Sequence, residues 1–139
     1  MTETETSCRT ASAHAGAASA TILVVDDDLA MRTILNFSLR AMGYSVLTAG
    51  DGEEALQITR NHPEVRLIIL DVVMSGLSGK KLADQLKANL SQSSILFCSG
   101  HPATAMSRYD IDVECEHFLQ KPCRPPELKR KLEEMLATG

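Results

Sequence analysis

Strand-like apolar runs alternate with helical patterns along almost the whole of this chain. Thr21-Ile22-Leu23-Val24-Val25 is the first run, and it ends on Asp26-Asp27-Asp28. From Leu29 the spacing turns helical, with Met31, Ile34, Leu35, Leu39 and Met42 returning at intervals of three and four. Asp28 suits the N-cap of that helix and Gly43 its C-terminal stop. Ser45–Ala49 reads as a second strand, and Gly50-Asp51-Gly52 is turn chemistry. Glu53–Arg60 reads as a helix with Ala55, Leu56 and Ile58 inward, stopped by Asn61-His62-Pro63. Leu67-Ile68-Ile69-Leu70 is too short for a helix but suits a strand buried on both faces, and it stops on Asp71. Lys80–Leu90 is helical, with Leu82, Leu86 and Leu90 on one stripe. Ser94–Cys98 is a fourth strand closed by Ser99-Gly100. Pro102–Tyr109 carries a weak helical pattern, Glu116–Gln120 a fifth strand, and Glu127–Leu136 a last helix entered through Pro125-Pro126.

Strands that alternate with helices across short connections argue for a parallel sheet covered on both faces. Right-handed crossovers leave few topologies. The expected fold is therefore α/β: a doubly wound, five-stranded parallel sheet of flavodoxin-like type, in the order 2-1-3-4-5. Residues 1–20 are mostly Thr, Glu, Ser, Ala and Gly, and read as a flexible tail or linker remnant; residues 21–139 form the single domain.

Composition changes this picture little. With a net charge of -4 and a pI near 5.5, nothing draws the chain to nucleic acid or to an anionic membrane. No apolar run approaches a membrane span, and no secretory signal opens the chain. Cys8, Cys98, Cys115 and Cys123 form no C-x-x-C pair and show no metal-ligand spacing, so the expected compartment is the reducing cytoplasm. Cys98 reads as a small buried hydrophobe. His14, His62 and His117 lack ligand spacing, and Gly76 and Gly79 read as loop glycines.

The chemistry gathers at strand ends. In a 2-1-3-4-5 sheet, strands 1 and 3 are neighbours, and ligands bind at their carboxyl edge. Asp26, Asp27 and Asp71 would converge there. Three carboxylates repel one another, so a positive partner is required. All-oxygen ligation by few protein groups suits Mg²⁺. Lys121, ending strand 5, and Ser99, ending strand 4, lie on the same rim. Carboxylates, a divalent cation, an ammonium and a hydroxyl together make a site for a phosphoryl group. Acids ahead of a helix also act as plain caps, and that is the simpler reading of Asp28.

Four pieces in register resemble a response-regulator receiver domain, the phosphoacceptor module of two-component signalling. They are Leu23–Asp28, Leu67–Asp71 with Met74 and Gly79, Ser99-Gly100, and Phe118-Leu119-Gln120-Lys121-Pro122. The resemblance spans roughly residues 21–137. It implies that Asp71 accepts phosphate from a phosphohistidine of a histidine kinase or histidine phosphotransfer domain. It also implies that Asp27, Asp71 and the backbone carbonyl of Val73 ligate Mg²⁺, with Asp26 acting through water. Lys121 would pair with the phosphoryl oxygens, Ser99 would close on them, and Phe118 would be the aromatic that swings inward. The Lys121-Pro122 bond is expected to be cis, as an X-Pro bond allows. Such a domain is no enzyme in the ordinary sense, since it assists only its own phosphorylation and dephosphorylation.

The chain departs from the family at Ser75, where proline is usual, at Cys123, where an aromatic is common, and at Ser99, where threonine is commoner. None of these removes a chemical group from the pocket. No second domain follows the last helix of this sequence, so the expected output is protein contact or onward phosphotransfer. The segments around Ser99-Gly100-His101 and His117–Pro122 resemble receivers attached to hybrid sensor kinases. Two other readings stand beside the switch. One is a receiver-like interaction module that is never phosphorylated. The other is a Mg²⁺-dependent phosphatase, which would commonly carry a second acid where this chain has Val73.

Overall fold

The computed structural model describes residues 20–74 and 77–138. Five strands form one parallel sheet: β1 (Thr21–Val25), β2 (Ser45–Ala49), β3 (Val65–Asp71), β4 (Ser94–Ser99) and β5 (His117–Gln120). Their order is β2-β1-β3-β4-β5, as the alternating pattern and right-handed crossovers require. The helices are α1 (Leu29–Ala41), α2 (Gly52–Asn61), α3 (Gly79–Asn89) and α4 (Pro125–Thr138). Val73–Met74 pairs with Leu77–Ser78 in a small antiparallel ladder beside the sheet. The proposed tail falls outside the described residues apart from Ala20, which is buried and accepts a hydrogen bond from Ser45 N.

Alternation along each strand divides the core in two. Ile22, Val24, Leu67, Ile69, Leu96 and Cys98 point to one face and meet Leu35 and Leu39 of α1 with Leu128 and Leu132 of α4. Leu23, Val25, Ile68, Leu70 and Phe97 point to the other and meet Ala55 of α2 with Leu82 and Leu86 of α3. A central strand apolar at every position is what two covered faces demand.

Local chemistry sets the boundaries. The Asp28 side chain accepts from Ala30 N at 3.0 Å and caps α1. Gly43, at φ 102°, takes the left-handed turn that ends it, with Tyr44 N bonded to Leu39 O at 3.1 Å. Asp51 accepts from Glu54 N at 2.8 Å while Glu54 accepts from Gly50 N at 2.9 Å, a reciprocal cap for α2.

Two expectations are corrected. Ile34, counted in the apolar helical spacing of α1, is 56% exposed, because the stripe that meets the sheet runs through Leu35 and Leu39. The Pro102–Tyr109 helix is a 3₁₀ segment over Ala103–Tyr109, ended by Asp110 in the left-handed region (φ 62°). It buries Met106 and offers few other apolar anchors, so the short, tighter form suffices.

Candidate functional site

Backbone pairing brings the predicted residues to one edge of the sheet. Asp26 follows β1, and its N–H bonds to Ala49 O at 3.1 Å. Asp71 ends β3 opposite Cys98 of β4, and Val72 N bonds to Cys98 O at 2.8 Å. Lys121 follows β5, its N–H held by Ser99 O at 2.8 Å. Each chemical residue therefore sits where a strand hands over to a loop, and neighbouring strands fix the handover.

The loop after Asp71 is packed tightly. Gly79 N donates to Val72 O at 3.2 Å, and a Cβ added at Gly79 would stand 2.7 Å from that oxygen. Glycine is required there by close approach of backbone to backbone. Ser75 and Gly76 lie outside the described residues.

Oxygens of Asp26, Asp27 and Asp71 lie within 4.8 Å of one another. Asp26 and Asp71 are buried, whereas Asp27 faces solvent. Asp26 Oδ1 accepts from Asp28 N at 2.9 Å, and its Oδ2 receives Lys121 Nζ at 2.8 Å. Asp71 Oδ1 accepts from Val73 N at 3.2 Å, and its Oδ2 stands 3.4 Å from Lys121 Nζ. The ammonium thus bridges both buried acids but lies nearer Asp26. This uneven sharing explains two shifts that a simple ion pair would not give together. Burial, opposed by the Lys121 charge and reinforced by Asp26, pushes the Asp71 carboxyl up to about 6. Burial also works against the Lys121 ammonium, but its bond to Asp26 and the Asp71 charge prevail and hold it above an ordinary lysine.

Lys121 is shared between the two buried acids, with the Asp27 carboxylate clustered beside them. The donor set is hard oxygen throughout, with Asp27 open to solvent, and it fits a divalent ion that keeps several waters. Val73 N bonds to the Asp71 carboxylate, so its peptide lies beside that residue, while its side chain is exposed.

The remaining expected residues are placed as follows. Ser99 is fully buried one residue beyond Cys98, and its Oγ accepts from His101 N at 3.0 Å. His101 is exposed and its ring lies 6.0 Å from that of Tyr109. Phe118 is half-buried against the cluster that holds Phe97 and Met106. The Lys121-Pro122 bond is cis.

Two features escaped the sequence reading. Arg32 donates from Nη1 to Asp26 O at 2.7 Å and lies under Gly50, locking the β1–α1 turn to the β2–α2 turn. Its position one turn into α1 was the available signal. Cys98 and Cys123 bring their sulfurs to 3.6 Å across 25 residues of sequence. Hydrogen bonding to Cys123 and burial raise the Cys98 thiol, while the bond from Cys98, helped by the Lys121 charge against burial, lowers Cys123.

A separate groove of about 450 Å³ runs between α3 and strands β4 and β5, lined by Lys80, Asp84, Lys87, Phe97, Glu116 and His117. Its lysines are already engaged: Lys80 with Asp84 and Glu116, Lys87 with the Ser93 carbonyl. None of the three clustered acids lines this groove.

An open parallel sheet whose strand order reverses beside three clustered acids and a bridging lysine defines an α/β receiver fold. The chain belongs to the response regulator receiver domain family, which it matches over residues 22–133. It is 36% identical over 116 residues to response regulator MprA of Mycobacterium sp. (strain KMS), covering 83% of this chain and 50% of that protein. The receiver domain of the hybrid histidine kinase CckA superposes with a TM-score of 0.70 at 33% identity, over 84% of this chain and 98% of that one. Vibrio cholerae chemotaxis protein CheY4 does so at 0.74 and 27% identity, over 84% and 98%. The chain spans about half the length of the curated relatives it matches. Among the described residues, no helix is long and apolar enough to cross a membrane.

Proposed function

We propose that this domain is a phosphoacceptor switch of two-component signalling, operating in the cytoplasm. The observation that carries the reading is the bridging of Asp26 and Asp71 by Lys121 Nζ, at 2.8 and 3.4 Å, beside the open carboxylate of Asp27. The donor is a phosphohistidine on a histidine kinase or histidine phosphotransfer domain. An Asp71 oxygen attacks phosphorus, the phosphorus–nitrogen bond breaks, and the imidazole leaves as a good, protonatable leaving group. Asp27, Asp71 and the Val73 carbonyl, with Asp26 beside them, would hold Mg²⁺, which when bound would neutralise charge on the transferring phosphoryl oxygens. Lys121, placed between two acids, swings its ammonium onto those oxygens and so links the new charge to β5. Ser99 gives up its contact with His101 N, donates its hydroxyl to the phosphoryl group, and draws the β4–β5 side inward. Phe118, half-buried beside it, follows. The face formed by the 3₁₀ segment, β5 and α4 then presents a different surface to partners.

Leu29, Phe37 and Val73 are exposed apolar side chains near the acidic edge or along α1. A helical phosphodonor covering Phe37 while its histidine reaches Asp71 would bury them. Phe37→Ala is therefore expected to slow transfer from the kinase about tenfold and leave labelling by acetyl phosphate unchanged.

The deciding experiment is incubation of the full chain with acetyl phosphate and Mg²⁺, followed by intact mass. Addition of one phosphoryl group, labile to base and lost in Asp71→Asn, is expected. Absence of that addition in the wild-type chain would favour the other reading, an interaction module that is never phosphorylated.

A further inference from the structure

Cys98 and Cys123 are not used by the acceptor chemistry, yet they meet at its back. Cys98 is 1% exposed on β4 and Cys123 is 8% exposed just after Lys121-Pro122. Their sulfurs are 3.6 Å apart in the apolar layer beneath α4. Closing to a disulfide asks for about 1.5 Å of approach, within reach of small side-chain rotations. The two cysteines also flank the groups that move in the switch. Cys98 immediately precedes Ser99, Cys123 lies two residues beyond Lys121, and Lys121 N is bonded to Ser99 O at 2.8 Å.

We propose that Cys98 and Cys123 form a peroxide-responsive dithiol site whose closure to a reversible disulfide shifts Lys121 relative to Asp26 and Asp71. The consequence for phosphorylation rests on the proposed function; the dithiol chemistry does not. Cys123, the less buried of the two, reacts first. Its sulfur attacks one peroxide oxygen, the oxygen–oxygen bond breaks, and one water forms as Cys123 becomes a sulfenic acid. The Cys98 sulfur then attacks the Cys123 sulfur, the sulfur–oxygen bond breaks, and the Cys98 proton leaves with hydroxide as a second water. Two thiols have lost two electrons, and hydrogen peroxide has become two waters. A cellular dithiol reverses the step by exchange. Disulfides of this kind in a reducing compartment are transient and sensory rather than structural. The neighbours of the pair fit such a role. A crosslink here ties the end of β4 to the segment after β5 and restrains both Ser99 and Lys121.

The test uses the full chain treated with hydrogen peroxide, quenched by alkylation, digested and mapped by mass. A peptide pair joined through Cys98 and Cys123, lighter by two hydrogens and released by dithiothreitol, is expected. It should persist in a Cys8→Ser, Cys115→Ser chain and vanish in Cys123→Ser or, should serine be poorly tolerated, Cys123→Ala. The oxidised chain should label from acetyl phosphate at least about fivefold more slowly, since small displacements of a charge-positioning group cost large factors. Dithiothreitol should restore the rate, and Cys123→Ser should not respond to peroxide. No joined peptide, or one joined through Cys8 or Cys115 instead, overturns the site. A joined peptide with an unchanged labelling rate overturns the shift of Lys121. A reduced chain that never labels overturns the proposed function instead, and the mass result still decides the dithiol site.

Discussion

The acidic edge of the sheet and the segment between β4 and β5 are built differently. At the acidic edge the two buried acids are each pinned twice, by backbone hydrogen bonds and by side-chain bonds. Asp26 is held through Ala49 O, Asp28 N and Lys121 Nζ; Asp71 through β4, Val73 N and Lys121. Between β4 and β5, residues 100–116 carry one fully buried apolar anchor in the 3₁₀ segment, Met106, with Ile111 just beyond, and the rest is exposed or half-exposed. The contrast teaches where work can be stored. Charge repulsion is concentrated in a stiff corner, while the segment between β4 and β5, with few buried anchors, costs little to move.

Four changes break or sharpen this contrast. Lys121→Ala should have the largest effect. It leaves two buried carboxylates without their cation, a loss of about 3 kcal/mol in metal-free protein at neutral pH, seen in urea denaturation. Some phosphorylation should survive, but partner affinity should no longer respond to it.

Asp71→Asn acts in the opposite direction. The folded state holds the Asp71 proton up to about pH 6, against 3.8 for a free carboxyl. Its stabilising contribution is therefore present below pH 3.8 and is lost as pH rises through about 6. Asparagine cannot ionise and escapes that loss. The metal-free variant should gain on wild type between pH 4 and 6, by on the order of 2 kcal/mol, and hold the gain above. Equal pH profiles would show that Asp71 titrates normally.

Gly79→Ala should cost about 1–2 kcal/mol, because the new Cβ meets the Val72 backbone at 2.7 Å. Tyr109→Ala, in the loose segment, should cost under about 1 kcal/mol by the same denaturation measurement. A cost for Tyr109 as large as that for Gly79 would erase the difference between the two regions.

The fold was readable because the sheet is covered on both faces. Leu67 to Leu70 must be apolar at every position, and such runs stand out from helical spacing. The acidic pocket was readable for a related reason: Asp26, Asp27, Asp71, Ser99 and Lys121 interrupt or follow those runs, so topology alone gathers them. Helix faces were harder. Ile34 shares the helical rhythm of Leu35 and Leu39, and only the tilt of α1 on the sheet decides which side is covered. The 3₁₀ segment gave a weak pattern because it buries little. The Asp51–Glu54 cap was written plainly in the spacing, although the reading stopped at the glycines. Contact between Cys98 and Cys123 was hidden, since nothing in a separation of 25 residues tells that two side chains from adjacent elements turn toward each other.

The lifetime of the signal gives a finer test of the stiff corner. Val73 is 41% exposed and its N–H bonds to Asp71, so its side chain stands at the mouth of the acidic pocket. It cannot hold a water in line with phosphorus. Val73→Asn or Val73→Glu should change phosphate release severalfold with the fold intact, measured on purified phosphoprotein in Mg²⁺ at fixed pH. Rates equal to wild type would remove this position from control of hydrolysis.

The most direct test is peptide mapping of the phosphorylated chain after incubation with acetyl phosphate and Mg²⁺, using reduction of the acyl phosphate to mark the modified carboxyl. The mark should fall on Asp71 alone, disappear in Asp71→Asn, and weaken more in Asp27→Ala than in Asp26→Ala as metal affinity falls. A mark on Asp26 or Asp27, or undiminished labelling of Asp71→Asn, would contradict the assignment of Asp71 as the phosphoacceptor.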